Sequence, residues 1–396
     1  MNTIISKKSV EELPSIKKVD ELDNLSLYCY TECDDESSDL IKQCRGLVFK
    51  GDELIFKGYG YTPEYTHDDI ELLKGLKLED YTACTSYEGT LVRLFHTDKW
   101  YVSTHKRLDV FNSRWGTRRT FGELLTEALI EECDNNLRFR DLTGDVDNKD
   151  IYTTFLSILD KSKQYTLLLR SCEENRIVCH SGTTCRVFHV GTFEKGKLNL
   201  EDCIGLPKPE TYTFDSIDDL FEHVQTMDAF SCQGIILLNQ EKQLKITIPL
   251  YKRLYVLRDN EPSVKFQYLK IRTQGYSKLR DFCKLYAEHQ DSFDLYENVL
   301  YDIALSVYSA YVKRFIHKKF IQIPTSEYFI MKKCHAWHLE DRKRNVISFN
   351  RVMEEINRLE PYKLNRLIKN RLRAESKEAT TQEPEEPIQE PEEPIQ

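Results

Sequence analysis

No apolar run in this 396-residue chain approaches bilayer-spanning length, and the N-terminus has no apolar signal core. No contact with a membrane is expected. A cysteine framework is missing as well. Twelve cysteines are scattered from Cys29 to Cys334, and although Cys29 and Cys33 are close, no second Cys or His pair stands at zinc-ribbon spacing. Free thiols in a reducing, intracellular compartment are the expectation. His335 and His338 lie three apart beside Cys334, a spacing that permits metal binding. Without partner ligands the group reads as packing, and no metal site is expected.

A uniform charge bias is absent too. The net charge is -9, but Glu375–Gln396 carries eight Glu against one Lys. Lys332–Ala374 has twelve Lys or Arg against five Asp or Glu. A basic segment thus precedes an acidic one, and overall charge argues neither for nor against nucleic acid. His335, Trp337, Tyr362 and Leu364 interleave the basic run, a pattern compatible with an RNA-contacting face or a solvated one.

What is present is a strand-rich pattern followed by a helical one. Alternating apolar residues predict strands at 25–30, 43–49, 53–56, 82–87, 91–95, 100–104, 165–169, 175–178, 187–193, 232–238 and 244–248. Helices are predicted at 68–76, 121–132 and 217–224, a charged surface loop at 133–149 and a linker from 249 to 272. From Tyr276 onward apolar residues recur only at helical spacing, as in Val299, Leu300, Ile303, Val307 and Tyr311. The expected organisation is a polar, poorly ordered segment 1–24, an α+β domain 25–272 and an all-α domain 276–372. The tail 375–396, with EPEEPIQ written twice from Glu383, has too little apolar surface to fold.

The stretch the chain is organised around is Ser86-Tyr87-Glu88-Gly89-Thr90, a tight acidic turn between two strands. It resembles the Lys-x-Asp/Glu-Gly-Ser/Thr motif of covalent nucleotidyltransferases, where the Lys attacks the α-phosphate of ATP or GTP. Here the Lys position is Ser86. Further stretches, in order, resemble the RNA ligase family typified by the tRNA-repair ligase of T-even phages, in versions encoded by large DNA viruses. Cys44-Arg45-Gly46-Leu47-Val48-Phe49 is similar to its upstream element, whose Arg helps bind nucleotide. Ser103-Thr104-His105-Lys106-Arg107 sits where the family has a polar loop. QYTLLLRSCEENRIV at 164–178 resembles Tyr-x-Phe-Glu-Leu-x-Ser-Pro-x-Asn-Arg-Ile-Val, with Leu168 at the Glu position. Gln233-Gly234-Ile235-Ile236 resembles Glu-Gly-hydrophobic-hydrophobic, and Lys245-Ile246-Thr247 the closing Lys-x-Lys. Cys334-His335-Ala336-Trp337-His338 with Asp341-Arg342 resembles the same viral relatives. The likeness spans roughly residues 40 to 370.

The resemblance implies a nucleotidyltransferase (ATP-grasp-like ligase) domain with antiparallel sheets, followed by the helical domain. It implies nucleotide binding by Arg45, Glu88, Gly89, Asn175, Arg176 and Lys245, with Gly234 also retained. The catalytic set is degenerate at Ser86, Leu168 and Gln233. A serine hydroxyl is not an amine and cannot form the Lys–nucleotide linkage. The family's two carboxylates contact ribose and hold the divalent metal, and both are replaced. A non-catalytic protein that binds nucleotide or an RNA end, or serves as an assembly subunit with other viral proteins, is therefore expected. Two alternatives stand beside it. One is an active ATP- and Mg²⁺-dependent ligase with a displaced nucleophile, Lys106 first, then Lys57, Lys99 or Lys245. The other is a structural viral protein that kept the scaffold. Host cytoplasm or virion is the implied location.

Overall fold

The computed structural model describes residues 5–170, 176–240 and 242–381. They divide into two compact units, Met1–Pro262 and Ser263–Gln396. The first is α+β with antiparallel sheets and the second is helical.

Among the described residues the strands of the first unit form three sheets. One is a meander of β1 (Ile16–Leu22), β2 (Leu25–Tyr30), β3 (Arg45–Lys50) and β4 (Glu53–Phe56). Short β5 (Glu64–Tyr65) follows, then β6 (Thr82–Ser86), β7 (Thr90–His96) and β8 (Trp100–Ser103). Next come β9 (Gln164–Arg170), β10 (Arg186–Glu194), β11 (Lys197–Asn199), β12 (Thr211–Tyr212), β13 (Gly234–Leu238) and β14 (Gln243–Thr247). They assemble in the orders β11-β10-β9-β7-β8 and β12-β6-β13-β14-β5. Consecutive strands β6 and β7 therefore belong to different sheets, and residues 87–89 carry the chain from one to the other.

Between the strands of this unit lie α1 (Lys7–Glu11), α2 (Asp39–Gln43), α3 (Ile70–Leu73), α4 (Phe121–Asn135), α5 (Leu137–Thr143), α6 (Ile151–Ile158) and α7 (Ile217–Thr226), with α8 (Pro249–Arg258) closing it. Helix α4 starts on a reciprocal box in which Thr120 Oγ1 accepts from Glu123 N and the Glu123 carboxylate accepts from Thr120 N. Its Leu124, Leu125, Ala128 and Leu129 pack on Val92, Leu94, Leu167, Leu169 and Val187. Each buried Leu contributes roughly 1.5–3 kcal/mol. Strand alternation turns the residues between these, Leu91, Arg93, Thr166 and Leu168, to the opposite face.

Several local expectations give way. The N-terminal segment is not a loose lead-in: Ser6 and Ser9 cap α1, and β1 pairs with β2. Asp23 and Asn24, both at positive φ, make the tight hairpin between those strands. In 133–149 the Asn136 side chain accepts from Phe139 N and starts α5. Phe139 is fully buried while its charged neighbours face outward, which is why composition alone suggests a loop. The expected linker holds α8, with Pro249 in its first turn, and α9 (Val264–Ile271). Residues 176–178 form no strand, and Asn175 lies outside the described residues.

The second unit contains α9, α10 (Tyr276–Leu285), α11 (Gln290–Tyr311), α12 (Thr325–Glu340), α13 (Phe349–Asn357) and α14 (Pro361–Thr381). Val299, Leu300, Ile303, Ala304 and Val307 bury one side of α11, which α12, α13 and α14 cover. The helical backbone of α14 runs on to Thr381, six residues past where the tail was expected to begin.

Candidate functional site

Strand pairing brings the motif residues together. Ser86 ends β6 opposite Gly234 of β13, and Gly234 in turn lies opposite Thr247 of β14. The Ser86 carbonyl accepts from Gln233 N at 2.7 Å, and Ser86 Oγ donates to Gln233 Oε1 at 3.1 Å. The same Oε1 accepts from Lys245 Nζ at 2.9 Å. Gln233 Nε2 donates to the Tyr251 hydroxyl at 2.9 Å, and that hydroxyl donates to Glu88 Oε2 at 3.1 Å. Lys245 Nζ also meets Glu64 Oε1 at 2.5 Å, β5 and β14 being parallel neighbours. One polar chain thus runs from Glu64 through Lys245, Gln233 and Tyr251 to Glu88, with Ser86 hydrogen-bonded at its centre.

The direction of these bonds explains why glutamine suits position 233. Tyr251 has a single hydroxyl proton, and Glu88 receives it. The phenolic oxygen therefore needs a donor from Gln233, which only the amide supplies. A carboxylate at 233 would set two acceptors against each other.

Glu88, 8% exposed, is held further by the backbone N–H groups of Ile177, Val178 and Cys179. Its carboxylate clamps the loop after β9 to the turn after β6. Arg176 is buried in that loop and donates to Val178 O. Gly89 lies so close to β9 that a Cβ there would come within 2.6 Å of Leu169 O and 3.1 Å of Leu168 Cδ1. Leu168 is therefore packed against the acidic turn, where the family's first carboxylate is expected.

Arg45 Nη1 reaches Gly60 O at 3.4 Å, and the same carbonyl accepts from Gln243 Nε2 at 2.8 Å. Loop 58–63 thus joins Arg45 to the sheet that holds Lys245. The hydroxyl of Tyr255, stacked beside Tyr251, is pushed above its ordinary pKa by burial first, then by Glu64 and Glu88, with Arg45 opposing. Tyr255 is therefore within electrostatic reach of both acids and of Arg45. Behind Arg45 lies buried Arg93, which donates to Gly46 O and Thr104 O and stands over Phe56. Its pKa is lowered to about 9 by loss of solvent, and among the described residues no carboxylate pairs with it.

Lys106, the expected alternative nucleophile, is exposed on the loop beside this group, and its charge acts on His105 together with Arg45 and Arg93. Lys99 is ion-paired to Asp23 at 2.6 Å. Burial pushes the Lys57 ammonium down, but its Nζ donates to Gln43 Oε1 at 2.6 Å.

The residues fit an anion better than a divalent metal. Lys245 and Arg45 offer cationic donors, whereas Glu88 is saturated with N–H and O–H donors and Glu64 is paired with Lys245. Among the described residues no three His, Cys, Asp or Glu side chains gather as ligands. A cleft of about 890 Å³ lies elsewhere, lined by Thr82, Lys163, Glu194 and Leu238. Thr82 and Leu238 stand at the far ends of β6 and β13 from Ser86, roughly 13 Å along the strands.

Sequence reasoning missed Tyr251, Glu64 and Arg93. For Tyr251 a signal existed: Pro249 followed by apolar residues at 251, 254 and 257 marks a helix start and its buried face.

His105 and His189 carry a pH prediction. Burial lowers His105 to about 3, helped by Arg45, Arg93 and Lys106. It lowers His189 to about 4, aided by Lys208 and opposed by Asp202. Both folded values lie below the unfolded one, so their contribution is fully present above about pH 6.5 and is lost as pH falls toward the folded values. Each adds a slope approaching about 1.4 kcal/mol per pH unit within its window. Urea titrations from pH 7 to 4 should show a shallower decline in His105→Gln and His189→Gln than in the unaltered protein.

Comparison with solved structures finds ligases. The chain is similar to an archaeal ATP-dependent RNA ligase at TM-score 0.37 and 10% identity, covering 67% of this chain and 66% of that one. It is also similar to an RNA ligase of Naegleria gruberi solved with AMP and Mn, at TM-score 0.31 and 9% identity, covering 47% and 54%. Among sequences, it is similar to an immediate-early protein ICP-46 homolog of Invertebrate iridescent virus 6. That relative is 26% identical over 389 residues, 91% of this chain and 84% of the relative. The immediate-early protein ICP-46 of Frog virus 3 (isolate Goorha) is 24% identical over 287 residues, 68% of this chain and 69% of that protein. No family model matches the chain.

Proposed function

We propose that the strand-rich unit is an RNA-ligase-like nucleotidyltransferase domain of a viral protein that binds a nucleotide or a phosphorylated RNA end without transferring it. The observation that carries this is the meeting of Ser86, Gln233 and Lys245 on adjacent strands. The motif order demands that juxtaposition, yet Ser86 puts no amine at the nucleophile's own position. The closed chain through Tyr251 to Glu88 supports a site rebuilt around the amide. Lys245 and Arg45 would receive the phosphates through charge-assisted hydrogen bonds, and no step is routed through a metal. The relatives named above are virus proteins, so work inside an infected cell, as a subunit beside other viral proteins, fits the same picture.

Isothermal titration with ATP, GTP and 5′-phosphorylated oligoribonucleotides tests it. Saturable binding of at least one is expected, weakened roughly 10- to 100-fold in Lys245→Ala, as loss of a charged hydrogen bond implies. No binding of any, or equal binding by Lys245→Ala and Arg45→Ala, contradicts the proposal.

A further inference from the structure

In the basic run that the sequence suggested for RNA, Lys332 to Arg373, several cations are neutralised within their own unit. Arg351 pairs with Glu354 and Glu355, Arg358 with Glu355, Lys363 with Glu360, and Arg371 with Glu327 and Glu375. Further cations without such partners gather where α11 ends. Helix α11 ends in a π-helical turn, Val312–Ile316, and the chain continues through Lys318, Lys319 and Phe320. Among the described residues none of Lys313, Lys318, Lys319 and Arg342 has a carboxylate at ion-pair distance.

Three features make this more than a solvated face. The π turn closes with Lys319 N donating to Lys313 O at 3.0 Å, and Lys318 adopts φ +57, a left-handed conformation that glycine or asparagine would take more readily. Such turns and such backbone outliers concentrate at functional sites. Second, the ring of Phe315 stacks on His335 of α12 at 3.8 Å between centroids and 17° between planes. His335 also meets the Tyr311 hydroxyl at 3.3 Å, so the turn is fastened to α12. Burial first, and then the neighbouring Arg342 and Lys318, hold the His335 pKa down. Third, Phe320 is 92% exposed and Ile316 63% exposed amid these cations. Cations without carboxylate partners beside an exposed ring fit a chain that is anionic and carries flat bases.

We propose that the surface made by the π turn, residues 317–320, His335 and Arg342 binds single-stranded nucleic acid, with phosphates on Lys318, Lys319 and Arg342 and a base stacked on Phe320. This goes beyond the nucleotide site of the strand-rich unit and rests on no part of that reading. The competing occupant is the chain's own acidic segment, Glu383–Gln396. It is rich in charge but has no aromatic residue to answer the exposed rings.

The test uses the full chain and a fluorescein-labelled oligouridylate, with anisotropy followed across a salt series and 4-thiouridine photo-cross-links mapped by mass spectrometry. In Lys318→Gln/Lys319→Gln/Arg342→Gln the salt slope should fall by about 2, since each single-strand phosphate contact contributes about 0.7. Phe320→Ala should weaken binding about tenfold or more with the slope unchanged. Cross-links on the unaltered chain should fall between 311 and 346, a readout that stands even if the triple variant misfolds. Equal affinity and slope in the triple variant, or cross-links confined to residues 5–262, would overturn the proposal. So would a full chain that ignores the oligonucleotide, whether or not chemical cross-links tie Glu383–Gln396 to Lys318 or Lys319. Added ATP should leave the anisotropy unchanged, which keeps this result separate from that of the nucleotide site.

Discussion

Glu88→Ala should destabilise the strand-rich unit by about 3–5 kcal/mol, among the largest losses expected from a single polar side chain. Three backbone N–H groups, of Ile177, Val178 and Cys179, and the Tyr251 hydroxyl all direct hydrogens at its carboxylate. With alanine they stay buried and lose their acceptor. Glu88→Gln keeps one carbonyl oxygen but turns an NH₂ toward donors, so an intermediate loss of about 1.5–3 kcal/mol follows. Denaturant titration gives the total, and hydrogen exchange at 177–179 locates it. A Glu88→Ala protein within about 0.5 kcal/mol of the unaltered one, as at an ordinary surface position, would mean that this clamp is not formed.

Gly234→Ala should be worse still. Gly234 has φ +137, and a Cβ there would stand 2.1 Å from Ile246 O in the paired strand. The methyl group cannot be placed without separating β13 from β14, and those strands hold Gln233 and Lys245 in register. A loss of about 4 kcal/mol or more is expected, with proteolysis of the first unit at temperatures where the unaltered protein resists. Gly75→Ala is the control, since nothing lies within 4 Å of its added Cβ. Equal resistance of the Gly234 variant would contradict the close approach of the two strands.

The parts of this fold that were legible in the sequence are those written in local pattern. Alternation marked β6, β7, β9, β13 and β14, and the spacing of Leu124, Leu125, Ala128 and Leu129 marked α4. Because the motifs fall on strand ends, their order anticipated that Ser86, Gln233 and Lys245 would meet. The supporting shell was not legible. Tyr251 belongs to a helix whose start signal at Pro249 was passed over for a linker, and Glu64 sits in a two-residue strand too short to show a period. Arg93 occupies a strand position where an apolar residue would satisfy the same alternation, and its partners are carbonyls of Gly46 and Thr104, contributed by other strands and loops. Pairings such as Arg93 with Gly46 and Tyr251 with Glu88, 47 and 163 residues apart, leave no local trace. The Asp23-Asn24 turn did leave one, a residue pair that favours positive φ, and it was overshadowed by the lysine-rich composition around it.

The central claim is that this site holds a nucleotide or a phosphate without becoming covalently attached to it. Intact-mass spectrometry of the unaltered protein tests it most directly, after incubation with ATP or GTP and Mg²⁺ or Mn²⁺ at pH values from about 6 to 9, the range in which an activated lysine would attack. The unaltered chain should keep its mass throughout, and Ser86→Lys should keep its own, because Leu168 and Gln233 still offer no carboxylate to position a metal. A mass increase of one nucleotidyl group on the unaltered protein, mapped to Lys106, Lys57 or any other lysine, would contradict the account and establish a ligase with a displaced nucleophile.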